Sequence, residues 1–235
     1  GQHGDDAWLI SNTGGILRFA DHVEFGASRP DESWGRLPDG TGPLVPLLDR
    51  TLLDETSAVV PRPGLGAPNR GIRTGPVMIQ EIHHAPEGVT DLEFVELYNA
   101  AGVPVPLANC RLRGDVDYTF GEESIPAGGV LVVTPFAPGE TGKVEAFRAA
   151  YGIDATIILT GPWGGSDHLS TNGTVRLYRA EPPPPAEPFY FPLTVEDEVH
   201  YLGASGGWPD TTTGASLNRS LRDSGSSAAH WTAAP

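Results

Sequence analysis

Short runs of alternating apolar residues, separated by turns rich in glycine and proline, limit what this chain can fold into. Residues 77–82 and 116–120 alternate in the way of half-buried strands. Further strands are predicted at residues 93–98, 105–112, 130–133, 174–178 and 199–202. The 30 glycines and 23 prolines among 235 residues favour many short strands joined by turns over a helical bundle.

One segment is predicted to be helical. In residues 143–151, Val144, Phe147 and Tyr151 fall on one helical face, and Gly152 suits the helix end. Because strands and helices do not alternate along the chain, the pattern predicts an antiparallel β-sandwich with one short helix and long loops.

Residues 64–71 combine glycine, proline and asparagine without periodicity, which predicts a linker. We therefore divide the chain into residues 1–62, a linker at 63–75 and a large domain at 76–235. The N-terminal part partly repeats the large domain in the same order. The similar stretches are residues 9–19 with 169–178, 23–26 with 199–203, and 33–40 with 216–223.

The charge and the cysteine count exclude several classes of protein. A net charge of −15 argues against a nucleic-acid partner, because such binding depends mainly on Lys and Arg at phosphates. The single cysteine excludes a disulfide within the chain, and no apolar run is long enough for a membrane span. The one methionine is Met78, from which we expect a fragment of a longer protein.

Several short motifs resemble the lamin tail domain as found in bacterial proteins. They begin with Glu-Ile-His-His-Ala-Pro at residues 81–86, Glu-Phe-Val-Glu-Leu-Tyr-Asn at 93–99 and Val-Pro-Leu at 105–107. Later motifs in the family's order lie at residues 116–120, 125–129, 147–152, 169–178, 199–201, 208–210, 216–219 and 230–231. The resemblance covers residues 77–235, and residues 1–62 resemble the C-terminal half of another copy.

This resemblance implies an immunoglobulin-like sandwich without enzymatic activity of its own. In bacteria such modules stand, often in tandem, in secreted or surface proteins, so the implied location is extracellular, at the cell surface or periplasmic. The chain departs from the family pattern in an inserted loop at residues 181–193. It also lacks the rod and basic flanks of nuclear lamins, so their chromatin contacts are not carried over.

Asp115 and Asp117 are weak calcium candidates, since they share a strand face and calcium takes carboxylate oxygens. No Asp-x-Asp-x-Asp-Gly loop supports them, and a solvated acidic face is the competing interpretation. No other cofactor is predicted.

The acidic and histidine residues of the first two strands favour structural roles. Glu81, His83 and His84 include metal-ligand types, but adjacent strand residues point to opposite faces. Glu93 and Glu96 likewise fall on opposite faces, which is poor geometry for an acid–base pair.

Other reactive residue types also lack a catalytic arrangement. The consecutive residues Ser166, Asp167 and His168 cannot form a relay, because the base must lie between the other two groups. Cys110 lies in an apolar run, which predicts a buried, inert thiol. The remaining candidates are aromatic residues near loops, which either contact a ligand or close the ends of the sandwich: Trp163, Trp208 and Trp231.

Together these features predict a non-catalytic binding or architectural module with a protein or cell-surface partner. Two alternatives stay open: an accessory domain of a larger extracellular hydrolase or kinase-like enzyme, and a calcium-stabilised adhesion domain. Because a half-copy leaves an apolar face uncovered, we expect residues 8–60 to be ordered by strand pairing, either with the complete domain or with another chain.

Overall fold

The computed structural model describes residues 2–29, 32–47, 68–69, 71, 73–87, 90–166, 168–212, 214–220 and 226–235. The chain forms two compact units. The first unit contains Gly1–Arg73 and Glu181–Thr194, and the second contains Thr74–Ala180 and Val195–Pro235. Residues 1, 30–31 and 48–62 of the predicted half-repeat, and residues 63–67, 70 and 72 of the predicted linker, lie outside the described residues. The predicted division at residues 62 and 75 stays a prediction.

Two antiparallel strand pairs make up the described part of residues 1–47. β1 (Asp5–Thr13) pairs with β2 (Ile16–Phe25), and β3 (Trp34–Arg36) pairs with β4 (Leu44–Pro46). Each pair is a two-stranded sheet among the described residues.

The inserted loop belongs to the first unit. Glu181 accepts hydrogen bonds from Arg29 (2.5 Å) and from the hydroxyl of Thr194 (2.8 Å). Farther along the loop, the ring of Tyr190 stacks on His3 with centroids 4.3 Å apart. The first unit is therefore built from two separate stretches of sequence.

The second unit is a sandwich of two larger sheets. The six-stranded sheet has the order β12 (Ile158–Thr160), β11 (Val130–Val133), β6 (Phe94–Asn99), β5 (Val77–His83), β16 (Ser216–Arg219) and β17 (Trp231–Ala234). The five-stranded sheet has the order β13 (Gly164–Gly165), β9 (Val116–Thr119), β8 (Arg111–Gly114), β14 (Gly173–Ala180) and β15 (Leu193–Tyr201). A small pair, β7 (Val105–Pro106) with β10 (Ser124–Ile125), completes the strands of the described residues.

The predicted all-β, immunoglobulin-like sandwich is confirmed, and the described residues contain a single short α-helix. The main core of the sandwich lies between the two large sheets. Fully buried aliphatic side chains come from both of them, including Val95 and Leu97 on one side and Leu112 and Val175 on the other. In the six-stranded sheet, β11 and β12 run parallel and the other neighbouring strands are antiparallel.

The helix α1 (Thr141–Tyr151) covers a second, smaller core on the outside of the six-stranded sheet. Phe147 is its one fully buried residue and packs against Phe94 and Phe136. Gly152 ends the helix in the left-handed conformation, and its N–H donates to the Arg148 carbonyl, as its predicted role requires.

Two predicted strands differ from the structure, and β12 is an example of a strand that was not predicted. Residues 105–112 are not one strand but β7 and β8, separated by a turn where Asn109 has a φ of 61°. β15 begins at Leu193 rather than near residue 199, although its first half carries the charged residues Glu196 and Asp197. β12 has no predicted counterpart, because its three residues are too short to show a period.

A β-bulge corrects the predicted faces of β5. The alternation places Val77, Ile79 and Glu81 on one face, but the pairing with β6 skips Gln80. The extra residue reverses the alternation. Ile82 therefore enters the main core, and Glu81 leaves it for the outer face of the six-stranded sheet.

Candidate functional site

The β1–β2 hairpin exposes more apolar surface than any other described strand pair. Six large apolar side chains on it are each more than half exposed: Trp8, Leu9, Ile10, Ile16, Leu17 and Phe19. Contiguous exposed apolar surface on a folded protein is typical of interaction sites. The hairpin is therefore the candidate functional site of the described chain.

The sequence specifies this hairpin locally. Gly14 and Gly15 form its two-residue turn with φ of 62° and 82°, a conformation that glycine adopts without a steric penalty. The side chain of Asn12 accepts the N–H of Gly15 at 3.1 Å and closes the turn. Between Leu9 and Ile10 the pairing skips Ala20, which forms a bulge in β2.

The register assigns the apolar residues to two different faces, because directly opposite residues share a face. One face carries Trp8 opposite His22 and Ile10 opposite Phe19. The Trp8 ring contacts the rings of Phe19 and His22, with centroids 5.7 and 4.1 Å away. We call this the aromatic face, and Leu17, opposite Asn12, belongs to it.

The second face, which we call the Asp21 face, carries Leu9 opposite Asp21 and Ala7 opposite Val23. Phe25 also lies on it, and its ring is 6.4 Å from that of Trp34 on β3. The hairpin thus offers two chemically distinct surfaces.

A polar network borders the aromatic face. The indole N–H of Trp8 donates to Asp6 at 2.5 Å, and His22 Nε2 lies 3.5 Å from the same carboxylate. The Trp8 hydrogen bond, ahead of the contribution of His22, lowers the pKa of Asp6. Asp6 therefore carries its negative charge beside the aromatic rings at neutral pH.

The two calcium candidates lie in the second unit and have protein partners. The carboxylate of Asp115 accepts the N–H of Ser170 (2.9 Å), the N–H of Thr174 (3.3 Å) and the hydroxyl of Tyr201 (3.1 Å). Asp117 pairs with Arg113 at 2.7 Å. The structure does not bring the two carboxylates together with a further acidic or histidine ligand in the described residues.

The three tryptophans proposed as ligand contacts belong to the main core. Trp163, Trp208 and Trp231 are each at most 7% exposed. Trp208 and Trp231 contact each other with centroids 5.9 Å apart. Their burial fits the alternative that they close the ends of the sandwich. A ligand role for them stays an untested prediction.

A pair of carboxylates lies on the outer face of the six-stranded sheet. Glu81 of β5 is directly opposite Glu96 of β6. Glu81 accepts hydrogen bonds from Ser216 (2.5 Å) and Asn218 (3.2 Å). Burial, followed by the charge of Glu81, raises the pKa of Glu96 to about 7. The sequence alone does not predict this pair, because the bulge that aligns the two residues has no sequence signature.

The two histidines point to different sides, as their adjacency predicts. His83 Nδ1 lies 2.7 Å from the Tyr151 hydroxyl on helix α1, and its Nε2 lies 2.9 Å from the Gly214 carbonyl. His84 stacks on Tyr201 and shares a hydrogen bond with Thr211 at 3.1 Å. Burial lowers the pKa of both histidines, so they are neutral packing groups at pH 7.

The remaining reactive residue types have structural contacts. Glu93 is buried and accepts the N–H of Leu169 at 2.7 Å. The hydroxyl of Ser166 donates to the carbonyl oxygens of Asp115 and His168. Cys110 is buried in the main core, and Asp167 lies outside the described residues.

A buried ion pair that sequence analysis missed joins the two sheets of the second unit. Asp197 of β15 and Arg219 of β16 are fully buried and 2.5 Å apart. Asp197 accepts the N–H of Ile79 (2.8 Å), and Arg219 donates to the carbonyl of Ile79 (3.0 Å). The pair therefore holds both backbone groups of one residue of β5.

The second unit is thus a sandwich without a convergent polar cleft among the described residues. Residues 72–182 match the family model described as the Lamin Tail Domain. The lamin tail domain is an immunoglobulin-like, non-enzymatic domain and generally a binding module. The match runs from before β5 to the end of β14, while β15, β16 and β17 complete the same two sheets.

None of the curated proteins matches this chain. The described helices include none with the length and apolar character that a membrane crossing requires.

Proposed function

We propose that this chain is a non-catalytic module that binds a protein partner through the β1–β2 hairpin. The proposal rests on the aromatic face, where four large apolar side chains are each more than half exposed: Trp8, Ile10, Leu17 and Phe19. Binding a partner would remove this surface from water, which is the main driving force of most protein association.

The buried polar residues of the second unit support a role without bond chemistry. Asp115, Glu93 and Asp197 all accept backbone N–H groups of their own unit. Groups engaged in this way hold loops and strands in place and have little capacity left for a substrate.

We further propose that the module works in a bacterial secreted or cell-surface protein, in an extracellular or periplasmic setting. The motifs that resemble bacterial lamin tail domains support this setting. So does a single cysteine that is buried, because an exposed thiol would be oxidised outside the cell.

The test is a photo-crosslinking amino acid placed at position 17, on the aromatic face, in the organism that makes the protein. Leu17 is 69% exposed, so the replacement leaves the folded core unchanged. We expect a discrete covalent adduct with one polypeptide. That polypeptide, once purified, binds the unmodified chain saturably, and the W8S substitution weakens the binding.

The matched control carries the same amino acid at Val103, which is 62% exposed in a loop of the second unit. Adducts that are the same at positions 17 and 103, or a purified partner that binds W8S as tightly as the wild type, would contradict the proposal.

A further inference from the structure

The outer face of the five-stranded sheet carries a cluster of arginines. Leu112 of β8 and Leu177 of β14 belong to the main core. Because neighbouring strand residues alternate between the two faces, Arg111, Arg113 and Arg176 point outward. We call the outward surface of β8, β9 and β14 around these three residues the arginine face. The chain as a whole has 30 Asp and Glu against 15 Lys and Arg, so this concentration of arginine is a local exception.

One cross-strand row of the arginine face is balanced in charge. Arg113 lies directly opposite Arg176. Arg113 forms an ion pair with Asp117 of β9 at 2.7 Å, and Arg176 forms one with Glu198 of β15. The two arginines, which alone would repel each other, are thus each held by a carboxylate of the same sheet.

The next row of β8, β9 and β14 contains an arginine and no acidic residue. Arg111 lies directly opposite Tyr178 on β14 and Thr119 on β9. The guanidinium of Arg111 makes no ion pair or hydrogen bond with any described residue, and its Nε is inaccessible to water. The β-carbons of such cross-strand partners are about 5 Å apart, so the three side chains form one continuous surface. The positive charge of Arg111 is therefore not balanced within its row.

Both neighbours of Arg111 are set to donate hydrogen bonds. The hydroxyl oxygen of Tyr178 accepts a hydrogen bond from Arg176 at 3.3 Å, and that of Thr119 accepts one from Arg113 at 3.4 Å. Arginine can only donate, so each hydroxyl keeps its own proton for a further acceptor. Thr119 is exposed, and Arg111 and Tyr178 are partly exposed, so an acceptor from outside can reach them.

A carboxylate is the acceptor that fits this row. It can take two N–H groups of a guanidinium side by side, and the shielded Nε leaves the two terminal nitrogens of Arg111 for this contact. The first row of the arginine face already holds two carboxylates through arginine. A nucleic acid would bring many phosphates towards a chain of net charge −15, whereas an acidic segment of a polypeptide brings a few charges to one point.

We propose that Arg111, Thr119 and Tyr178 bind a carboxylate side chain of an acidic segment in a partner polypeptide. Arg111 would supply the positive charge and two hydrogen bonds, and each hydroxyl would donate one more. The site belongs to the second unit, so it is separate from the hairpin through which the proposed function operates.

The test uses the full chain and a fluorescent peptide of alternating glutamate and serine at low salt. We expect saturable binding with a Kd below about 1 mM, measured by fluorescence anisotropy. The same peptide with glutamine in place of glutamate keeps its shape and loses its charge, and it should not bind up to that concentration. Because the chain has a net charge of −15, unspecific attraction would not produce binding of the acidic peptide.

Chain variants locate the binding. R111Q should weaken it about tenfold, and Y178F, which removes one hydroxyl and keeps the ring, about threefold. R18Q is the matched control, because Arg18 is an exposed strand arginine of the first unit and its loss changes the net charge by the same amount. R18Q should bind as the wild type does. Circular dichroism checks that the variants fold, and the two peptides test the proposal on the unmodified chain.

Three results would each overturn the proposal: no binding of the acidic peptide up to about 1 mM, equal binding of the two peptides, or equal weakening in R111Q and R18Q. A single-stranded oligonucleotide that binds more tightly than the acidic peptide, and does so through Arg111, would also overturn it, because phosphate would then be the preferred ligand.

The hairpin proposal can fail separately from this one. Peptide binding that R111Q weakens and W8S leaves unchanged supports the arginine-face site, whether or not a partner is crosslinked at position 17. A crosslinked partner at position 17 without peptide binding would keep the hairpin function and reject this site.

Discussion

Glu96 is held in a setting where a carboxyl group keeps its proton close to neutral pH. It faces Glu81 across β6 and β5, and burial raises the pKa of both groups. Two ionised carboxylates in this position would repel each other with little water to screen them. The charge state of this one side chain therefore couples the stability of the sandwich to pH.

For Glu96 the folded-state pKa of about 7 lies above the usual value of 4.5. The stabilisation is complete below the unfolded-state pKa and is lost as the pH rises through 7. It amounts to at most about 3 kcal/mol. We expect E96Q to unfold at the same denaturant concentration as the wild type at pH 4.5 and at a higher one at pH 8.

The comparison with the wild type isolates Glu96. His83 and His84, whose pKa values are lowered by burial, act in the opposite direction in both proteins. E145Q, at an exposed position of helix α1, is the control and should shift neither midpoint. An E96Q protein that is less stable than the wild type at pH 8 would show that the carboxylate is stabilising.

The segment leading into β5 packs closely against β15, at Gly75 and Glu196. Glu196 is fully buried, and Arg179 of β14 donates two hydrogen bonds to it, at 2.9 and 2.6 Å. The backbone carbonyl of Glu196 accepts the N–H of Gly75 at 2.8 Å. A β-carbon on Gly75 would lie 2.0 Å from the carboxyl carbon of Glu196, so only glycine fits here.

We therefore expect G75A to push Glu196 away from Arg179 and to destabilise the second unit by about 1–3 kcal/mol. Denaturant unfolding followed by tryptophan fluorescence measures this change. G102A is the control, because a β-carbon at Gly102 would meet nothing within 4 Å. Equal stability of the two variants would mean that the strands move apart without cost.

The sequence patterns predict the sandwich and the helix because both depend on the period of the apolar residues. The deviations come from features without a period. The bulge at Gln80, the left-handed Asn109 and the buried charges Glu196 and Asp197 are set by contacts between distant segments. The same holds for the candidate site, since only tertiary structure shows that Trp8 and Leu17 are exposed while Trp163 and Trp208 are buried.

We expect the folding of the whole chain to be independent of calcium. The oxygens of Asp115 already accept three N–H and O–H donors, and Asp117 is paired with Arg113. A cation would have to replace these contacts, which hold the strands of the second unit. The midpoint of thermal unfolding should be the same in millimolar calcium and in a chelator. A higher midpoint in calcium would favour the adhesion-domain alternative.

The first unit is assembled from two stretches of chain that are far apart in sequence. Residues up to Arg73 and residues 181–194 share it, joined by the contacts of Arg29 with Glu181 and of His3 with Tyr190. Cleaving the peptide bond after Arg73 would therefore not release the N-terminal fragment from the remainder. A protease that nicks the chain there leaves one particle in solution, and its two pieces separate only under denaturing conditions.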